Sequence, residues 1–74
     1  MRIPDENYLD QIFTYHKPNE QQQQQYLAIR NAAKDFARTV INNTPNCADQ
    51  TAALRKIREA MMVANASVAL NGLV

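Results

Sequence analysis

Apolar side chains recur at spacings of three and four residues along two long stretches of the chain. They are Tyr26, Ile29, Ala33, Phe36 and Val40 in the first stretch, and Leu54, Ile57, Met61, Ala64 and Val68 in the second. This spacing places each row on one face of an α-helix. The pattern therefore predicts two long helices, over about residues 19–43 and 48–71, in an all-α fold.

The residues beside these rows predict where the helices begin and end. Asn19 with Gln22 three residues later is the pattern of a helix N-cap, and Asn46 can cap the second long helix. Pro45 cannot continue a helix, so the chain should turn there. Asn71-Gly72 offers an exit through a left-handed C-cap. We therefore expect the two long helices to form a tight antiparallel hairpin.

A short helix is predicted ahead of the hairpin, over about residues 5–13. Pro4 and the two acidic residues after it are typical of a helix start. The apolar side of this helix consists of Tyr8, Leu9, Ile12 and Phe13. Pro18 favours an extended conformation before it, so the helix should end ahead of residues 14–18, a segment that we call the elbow. With no internal repeat, residues 1–74 are predicted to form a single helical domain.

A chain of 74 residues has little interior, because a domain of this size buries only about 60% of its unfolded surface. Cys47 is the only cysteine, so no disulfide within the chain can compensate, and we interpret it as structural or incidental. Alanine supplies much of the hydrophobic content of 46% and permits close approach of helices. These features predict a homo-oligomer.

The net charge of +1 and the pI near 7.9 argue against binding to long nucleic acid, which needs a strongly basic face. A small anion remains a suitable ligand. No stretch approaches the roughly 20 apolar residues that cross a bilayer, and the polar N-terminus does not resemble a signal peptide. We expect a cytosolic protein that does not bind membranes.

Candidate catalytic residues are few. His16 is the only histidine, and the predicted hairpin places it at the opposite end from Cys47. The carboxylates suit helix surfaces, and no Cys-x-x-Cys or His-x-x-x-His spacing occurs. Gly72 is the only glycine, so no glycine-rich phosphate loop is available. The residues therefore predict no enzyme activity, no metal and no cofactor.

Binding of a nucleotide is better supported, because arginine forks match phosphate oxygens and aromatic rings stack on bases. Tyr15, His16 and Arg30 would suit such a ligand. Spacing alone favours a structural role for these residues over a binding site. In that alternative, Tyr15 packs on the hairpin, His16 caps a helix end and Arg30 is a surface residue. Antiparallel pairing should also bring Lys34 near Arg58.

The second long helix carries a stripe of alanine, methionine and leucine between residues 52 and 70, which is typical of a core or a subunit interface. Asn65 interrupts that stripe. A polar amide at a seam fixes the register of two helices, which is the interpretation we favour, but it could read a base if it faced a cavity.

Four segments, taken together in order and spacing, resemble the helical hairpin domain of phage anti-CBASS and anti-Thoeris sponge proteins. They are Phe13–Pro18 (FTYHKP), Tyr26–Arg30 (YLAIR), Asn43–Pro45 (NTP) and Leu54–Ala66 (LRKIREAMMVANA). The resemblance extends from about Ile12 to Leu70. The short form, without an added β-rich domain, is similar to the anti-CBASS branch.

The resemblance implies a helical protomer assembled into a hexamer in the host cytoplasm. It implies that cyclic dinucleotides such as cyclic GMP-AMP bind between protomers, and that some members hold cyclic trinucleotides such as cyclic tri-adenylate in separate pockets. Relatives often have arginine near the end of the second long helix, where this chain has Leu70 and Asn71. A sponge sequesters these immune messengers without degrading them and so blocks activation of the CBASS effector.

Matching positions imply the ligand-binding residues. Tyr15 resembles the aromatic residue that stacks on a base, and His16 would lie beside it. Arg30 resembles the cation that contacts phosphate, and Lys34 lies one turn beyond on the same face. The alternative function is a helical module that binds a host protein through the alanine-methionine face of the second long helix.

Overall fold

The computed structural model describes residues 5–73, which fold into three α-helices with no strand among them. They are α1 (Glu6–Phe13), α2 (Glu20–Asn43) and α3 (Ala48–Ala69). The predicted all-α fold is confirmed at this level. Helix α3 ends about two residues before its predicted end, and Pro4, the predicted start of the first helix, lies outside the described residues.

Side chains at the N-termini of α1 and α2 pair with backbone amides that have no partner inside the helix. Asp5 Oδ1 accepts a hydrogen bond from the Tyr8 amide at 2.7 Å. At α2, the Gln22 amide donates to Asn19 Oδ1 at 2.8 Å, and the Asn19 amide donates to Gln22 Oε1 at 3.0 Å. The N-cap that the sequence predicts at Asn19 is thus a complete capping box.

The start of α3 differs from the prediction. The N-cap is Cys47, one residue after the expected Asn46, and its side chain makes no capping hydrogen bond. The turn is instead held by Gln50, whose amide nitrogen donates to the carbonyl oxygen of Thr44 at 3.3 Å and to its hydroxyl at 3.1 Å. Because Gln50, in the first turn of α3, bonds back to the end of α2, the turn is stabilised without a side-chain cap from Asn46.

The end of α3 follows the predicted left-handed exit. Asn71 and Gly72 have φ angles of 51° and 77°, and the Gly72 amide donates to the carbonyl oxygen of Ser67 at 3.0 Å. This pairing satisfies a carbonyl that the last helical turn would otherwise leave open. Residues 71–72 therefore turn the chain away from the helix axis.

Helices α2 and α3 pack along one seam, and neither packs against α1. The half-buried apolar side chains of this seam are Ile29, Ala33, Ala37 and Val40 on α2, and Ala53, Leu54, Ile57, Met61, Ala64 and Val68 on α3. Phe36, which the apolar spacing placed in the seam, is 60% exposed, and the smaller Ala37 lies there instead. Alanine at this position lets the two helices approach closely.

No residue in the described part of the chain is fully buried. Phe13 is 81% exposed, although it belongs to the apolar side of α1, and Phe36 and Val63 are also largely exposed on the hairpin. A single chain therefore leaves much of its apolar surface in water, which agrees with the small interior expected from its length.

The capping residue Gln22 also joins the two long helices, because its amide nitrogen donates to the Val68 carbonyl oxygen at 3.1 Å. We predict that Gln22→Ala lowers the free energy of unfolding by about 1–2 kcal/mol, since it removes the capping partner and the bond across the seam. Urea titration measures the change. Gln24→Ala, at an exposed position of the same glutamine run, is the control and should have little effect.

Cys47 leaves the N-terminus of α3 without a side-chain cap, so a better N-cap should stabilise the protein. We predict that Cys47→Ser raises the free energy of unfolding by about 1 kcal/mol. Asn46→Ala should be nearly neutral, because Asn46 is not the N-cap. The opposite ranking in thermal denaturation at one protomer concentration would show that Asn46 is the cap.

Candidate functional site

The elbow is tied to the C-terminal end of α1. The Thr14 hydroxyl donates to the Asp10 carbonyl oxygen, and His16 Nε2 donates to the Gln11 carbonyl oxygen at 2.6 Å. A carbonyl oxygen only accepts, so Nε2 carries the proton in this hydrogen bond. The structure thus places His16 as a cap of α1.

Tyr15 lies beside this cap and is 81% exposed. The alternative that Tyr15 packs on its own hairpin is therefore wrong. A tyrosine ring next to a capped helix end, with most of its surface free, offers a face on which a base can stack.

Arg30 and Lys34 meet Arg58 across the α2–α3 seam. The aliphatic parts of the three side chains help to line one open cavity of about 210 Å³, whose wall also includes Leu54 and is almost entirely apolar. The predicted proximity of Lys34 and Arg58 is confirmed. None of the three has a carboxylate within ion-pair distance in the described chain, where the one ion pair joins Arg38 to Asp35 at 3.0 Å. Their charges are therefore uncompensated and favour an anion.

Arg30 also lines a second, larger cavity of about 480 Å³, which we call the Arg30 cavity. Its other lining residues are Tyr26, Met62, Asn65, Ala66 and Ala69. The Arg30 cavity is a shallow depression that is widely open to solvent in the single chain. The wall combines a cation, an aromatic ring, an amide and small apolar side chains, which are the groups that a nucleotide can use.

Sequence reasoning assigned Tyr26 only to the apolar row of α2 and so missed its place in this cavity. The available signal was its spacing of four residues from Arg30, which puts the ring and the guanidinium on neighbouring turns of one face. In the structure Tyr26 is half-buried at the edge of the seam.

The four predicted site residues form two separate groups within one chain. Tyr15 and His16 lie in the elbow and line neither cavity that Arg30 shares. Arg30 lies about 16 Å along α2 from Asn19, at the usual rise of an α-helix. Helix α1 makes no contact with the hairpin. A single chain therefore does not form one ligand site that contains both Tyr15 and Arg30.

An open apolar groove of about 540 Å³ occupies the other side of the seam. Its lining residues are Ile29, Ala32, Ala33, Phe36, Ala53, Lys56, Ile57, Ala60, Met61 and Ala64. Lys56 is the one charged residue in this wall. The two sides of the hairpin thus differ in character: one gathers cations and the other is apolar.

The arrangement of elbow, hairpin and cation cluster can be compared with known families. The family of the Acb2/Tad1 hairpin domain matches residues 5–69, which is most of the chain. This chain belongs to the Acb2/Tad1 hairpin family. Members of the family are anti-CBASS and anti-Thoeris sponge proteins, so the resemblance seen in the sequence is confirmed. No curated protein and no solved structure matches the chain significantly.

The residues matched by the Acb2/Tad1 hairpin family include the elbow, the two cavities that Arg30 lines and the apolar groove. A polar pocket of about 360 Å³ lies at the open end of the hairpin, and the match includes all of its lining residues except Asn71 and Gly72. That pocket is lined by Asn19, Gln21, Gln22, Gln25, Ser67, Val68, Asn71 and Gly72. Its lining residues include no lysine or arginine, so it offers a phosphate no charge.

The described part of this Acb2/Tad1 hairpin has no cluster of metal ligands, no close Cys–His pair and no membrane-spanning helix. Within residues 5–73, no three His, Cys, Asp or Glu side chains lie close enough to hold a metal ion together. His16 and Cys47 are separated by the 24 residues of α2, a length of about 36 Å. The described part of the chain also has no helix that is long and apolar enough to span a bilayer.

Proposed function

We propose that this Acb2/Tad1 hairpin protein is a sponge for cyclic oligonucleotide immune messengers in the host cytoplasm. Its ligands are cyclic dinucleotides such as cyclic GMP-AMP, with cyclic trinucleotides such as cyclic tri-adenylate as a second candidate class. By holding the messenger it blocks activation of CBASS effectors. The observation that carries the proposal is the cluster of Arg30, Lys34 and Arg58, uncompensated and beside an aromatic-lined cavity.

The charge distribution supports a small anion as the ligand. The whole chain has a net charge of only +1, yet three cationic side chains border one open cavity. Long nucleic acid is bound by a basic surface that follows many phosphates, whereas a cyclic dinucleotide presents two phosphates within a few ångströms. A local cluster on a nearly neutral protein suits the second ligand.

Binding without chemistry is part of the proposal. The only histidine donates its Nε2 proton to a backbone carbonyl oxygen, and the only thiol lies beyond the far end of α2. A sponge needs no nucleophile or base. It lowers the free messenger concentration when its affinity is high and its binding sites outnumber the messenger molecules.

We also propose that the working unit is a homo-oligomer, with a hexamer as the expected state. The apolar groove around Phe36 would be covered by a second copy, since the described chain buries no residue completely. In such an assembly the elbow of one protomer, with Tyr15 and His16, can lie against the Arg30 cavity of its neighbour. The assembly would join the two groups of site residues.

The alternative function is a module that binds a host protein through the alanine-methionine face of α3. Met62 and Val63, 55% and 70% exposed, are the observation that favours it. Light scattering coupled to size-exclusion chromatography separates the two, because the sponge proposal expects a closed oligomer and the alternative expects a monomer that exposes this face.

We predict that Tyr15→Ala and Arg30→Ala each weaken binding of a cyclic dinucleotide by about tenfold or more. The first removes a stacking surface and the second a charge-assisted contact to phosphate. Isothermal titration measures both. Arg38→Ala is the matched control, because Arg38 lies on the same helix but is paired with Asp35. Its affinity should stay within about twofold of the unmodified protein.

Other outcomes of the same titrations would contradict the proposal. Absence of micromolar binding to any cyclic purine dinucleotide or trinucleotide would refute the sponge function. Recovery of a cleaved ligand after heat release, detected by mass spectrometry, would show an enzyme. Unchanged affinity in both variants would refute the site assignment alone.

We predict that Phe36→Glu reduces the size of the assembly, because it places a charge in the apolar groove that a second copy would cover. Ile41→Glu is the control, since Ile41 is similarly exposed on α2 but does not line the groove. Light scattering should show a smaller species for Phe36→Glu only. An unmodified protein that is already monomeric would refute the proposed assembly.

A further inference from the structure

The side chain of Asn65 makes no hydrogen bond in the described chain. It is half-buried on α3, and its Oδ1 atom is shielded from water without accepting a hydrogen bond. A buried acceptor without a donor destabilises a protein, whereas leucine at the same position would carry no such penalty. The amide oxygen is therefore available to a donor from outside the chain.

The favoured sequence interpretation of Asn65, a residue that fixes the register of the two helices, is not supported. An amide with that role would bond across the seam, as Gln22 does to the Val68 carbonyl oxygen at 3.1 Å. Asn65 makes no such bond. The polar contact across the seam is thus supplied by a different residue.

Asn65 instead lies in the wall of the Arg30 cavity, beside groups that suit a nucleotide. Tyr26 offers a ring for stacking, Arg30 offers a fork for phosphate, and Ala66 and Ala69 leave room for a flat base. Exposing Oδ1 to this cavity requires a rotation of the amide. That rotation breaks no hydrogen bond within the described chain, because the Asn65 side chain makes none.

We propose that Asn65 reads the base of the bound messenger and favours adenine. An asparagine amide presents one acceptor and one donor side by side. These match the N6 amino group and the N7 atom of adenine, whereas the corresponding edge of guanine presents two acceptors, O6 and N7. This inference rests on the proposed sponge function and adds the base preference to it.

The test combines a change in the protein with a change in the ligand. Isothermal titration compares cyclic di-AMP with the same cyclic dinucleotide built from purine riboside, which lacks the 6-amino group. The unmodified protein should bind cyclic di-AMP at least about tenfold more tightly than it binds the purine riboside analogue. Asn65→Ala should bind both ligands with equal affinity. That affinity should be close to the affinity of the unmodified protein for the purine riboside analogue.

Two further variants separate base reading from a structural role. Asn65→Leu should lose the adenine preference but raise the melting temperature, because it removes the unpaired amide. Asn31→Ala changes an exposed asparagine next to Arg30 and should keep the preference. Light scattering on all variants should show the same assembly.

The outcomes are distinguishable. Equal binding of both ligands by the unmodified protein overturns the role of Asn65 and leaves the sponge function intact. A uniform loss of affinity in Asn65→Ala, with a changed assembly, also overturns it and assigns Asn65 to a subunit contact. If the unmodified protein binds no cyclic oligonucleotide at all, the sponge function and this inference both fail.

Discussion

Two helices that pack along one seam can half-bury a row of side chains on each, but they cannot enclose any of them. The rest of this structure depends on that constraint. Each seam residue keeps one side toward solvent, and the described chain contains no fully buried residue. Stability in a single chain must come from helix ends, from the bond between Gln22 and Val68 and from partial burial along the seam. The remaining apolar surface is free to serve contacts outside the chain.

The same seam separates two surfaces of different chemistry. On one side, Arg30 and Lys34 of α2 lie near Arg58 of α3, and none of the three has an ion-pair partner in the described chain. On the other side, small residues and Phe36 line an apolar groove. The proposed anion site and the proposed assembly face therefore border the same row of contacts. A chain of 74 residues thus carries two chemically different surfaces on one pair of helices.

The sequence predicted the helices well because their signals are local. Asn19 and Gln22 form the expected capping box, and Asn71 and Gly72 adopt the expected left-handed exit. The prediction was wrong where competing residues stood side by side. Cys47 rather than Asn46 is the N-cap of α3, and Ala37 rather than Phe36 lies in the seam. The family, too, could be identified from short motifs in their order, and the family comparison confirms it.

The candidate site depended more on the tertiary structure. The sequence alone determined which residue types were available: one histidine, one cysteine, an aromatic residue in the elbow and cations at helical spacing. It could not show that Tyr26 and Asn65 border the same cavity as Arg30, or that Asn65 lacks a partner. Helix periodicity places a residue on a face to within a turn. The side of the seam on which it lies, and what it meets there, depend on how two helices rotate against each other when they pack.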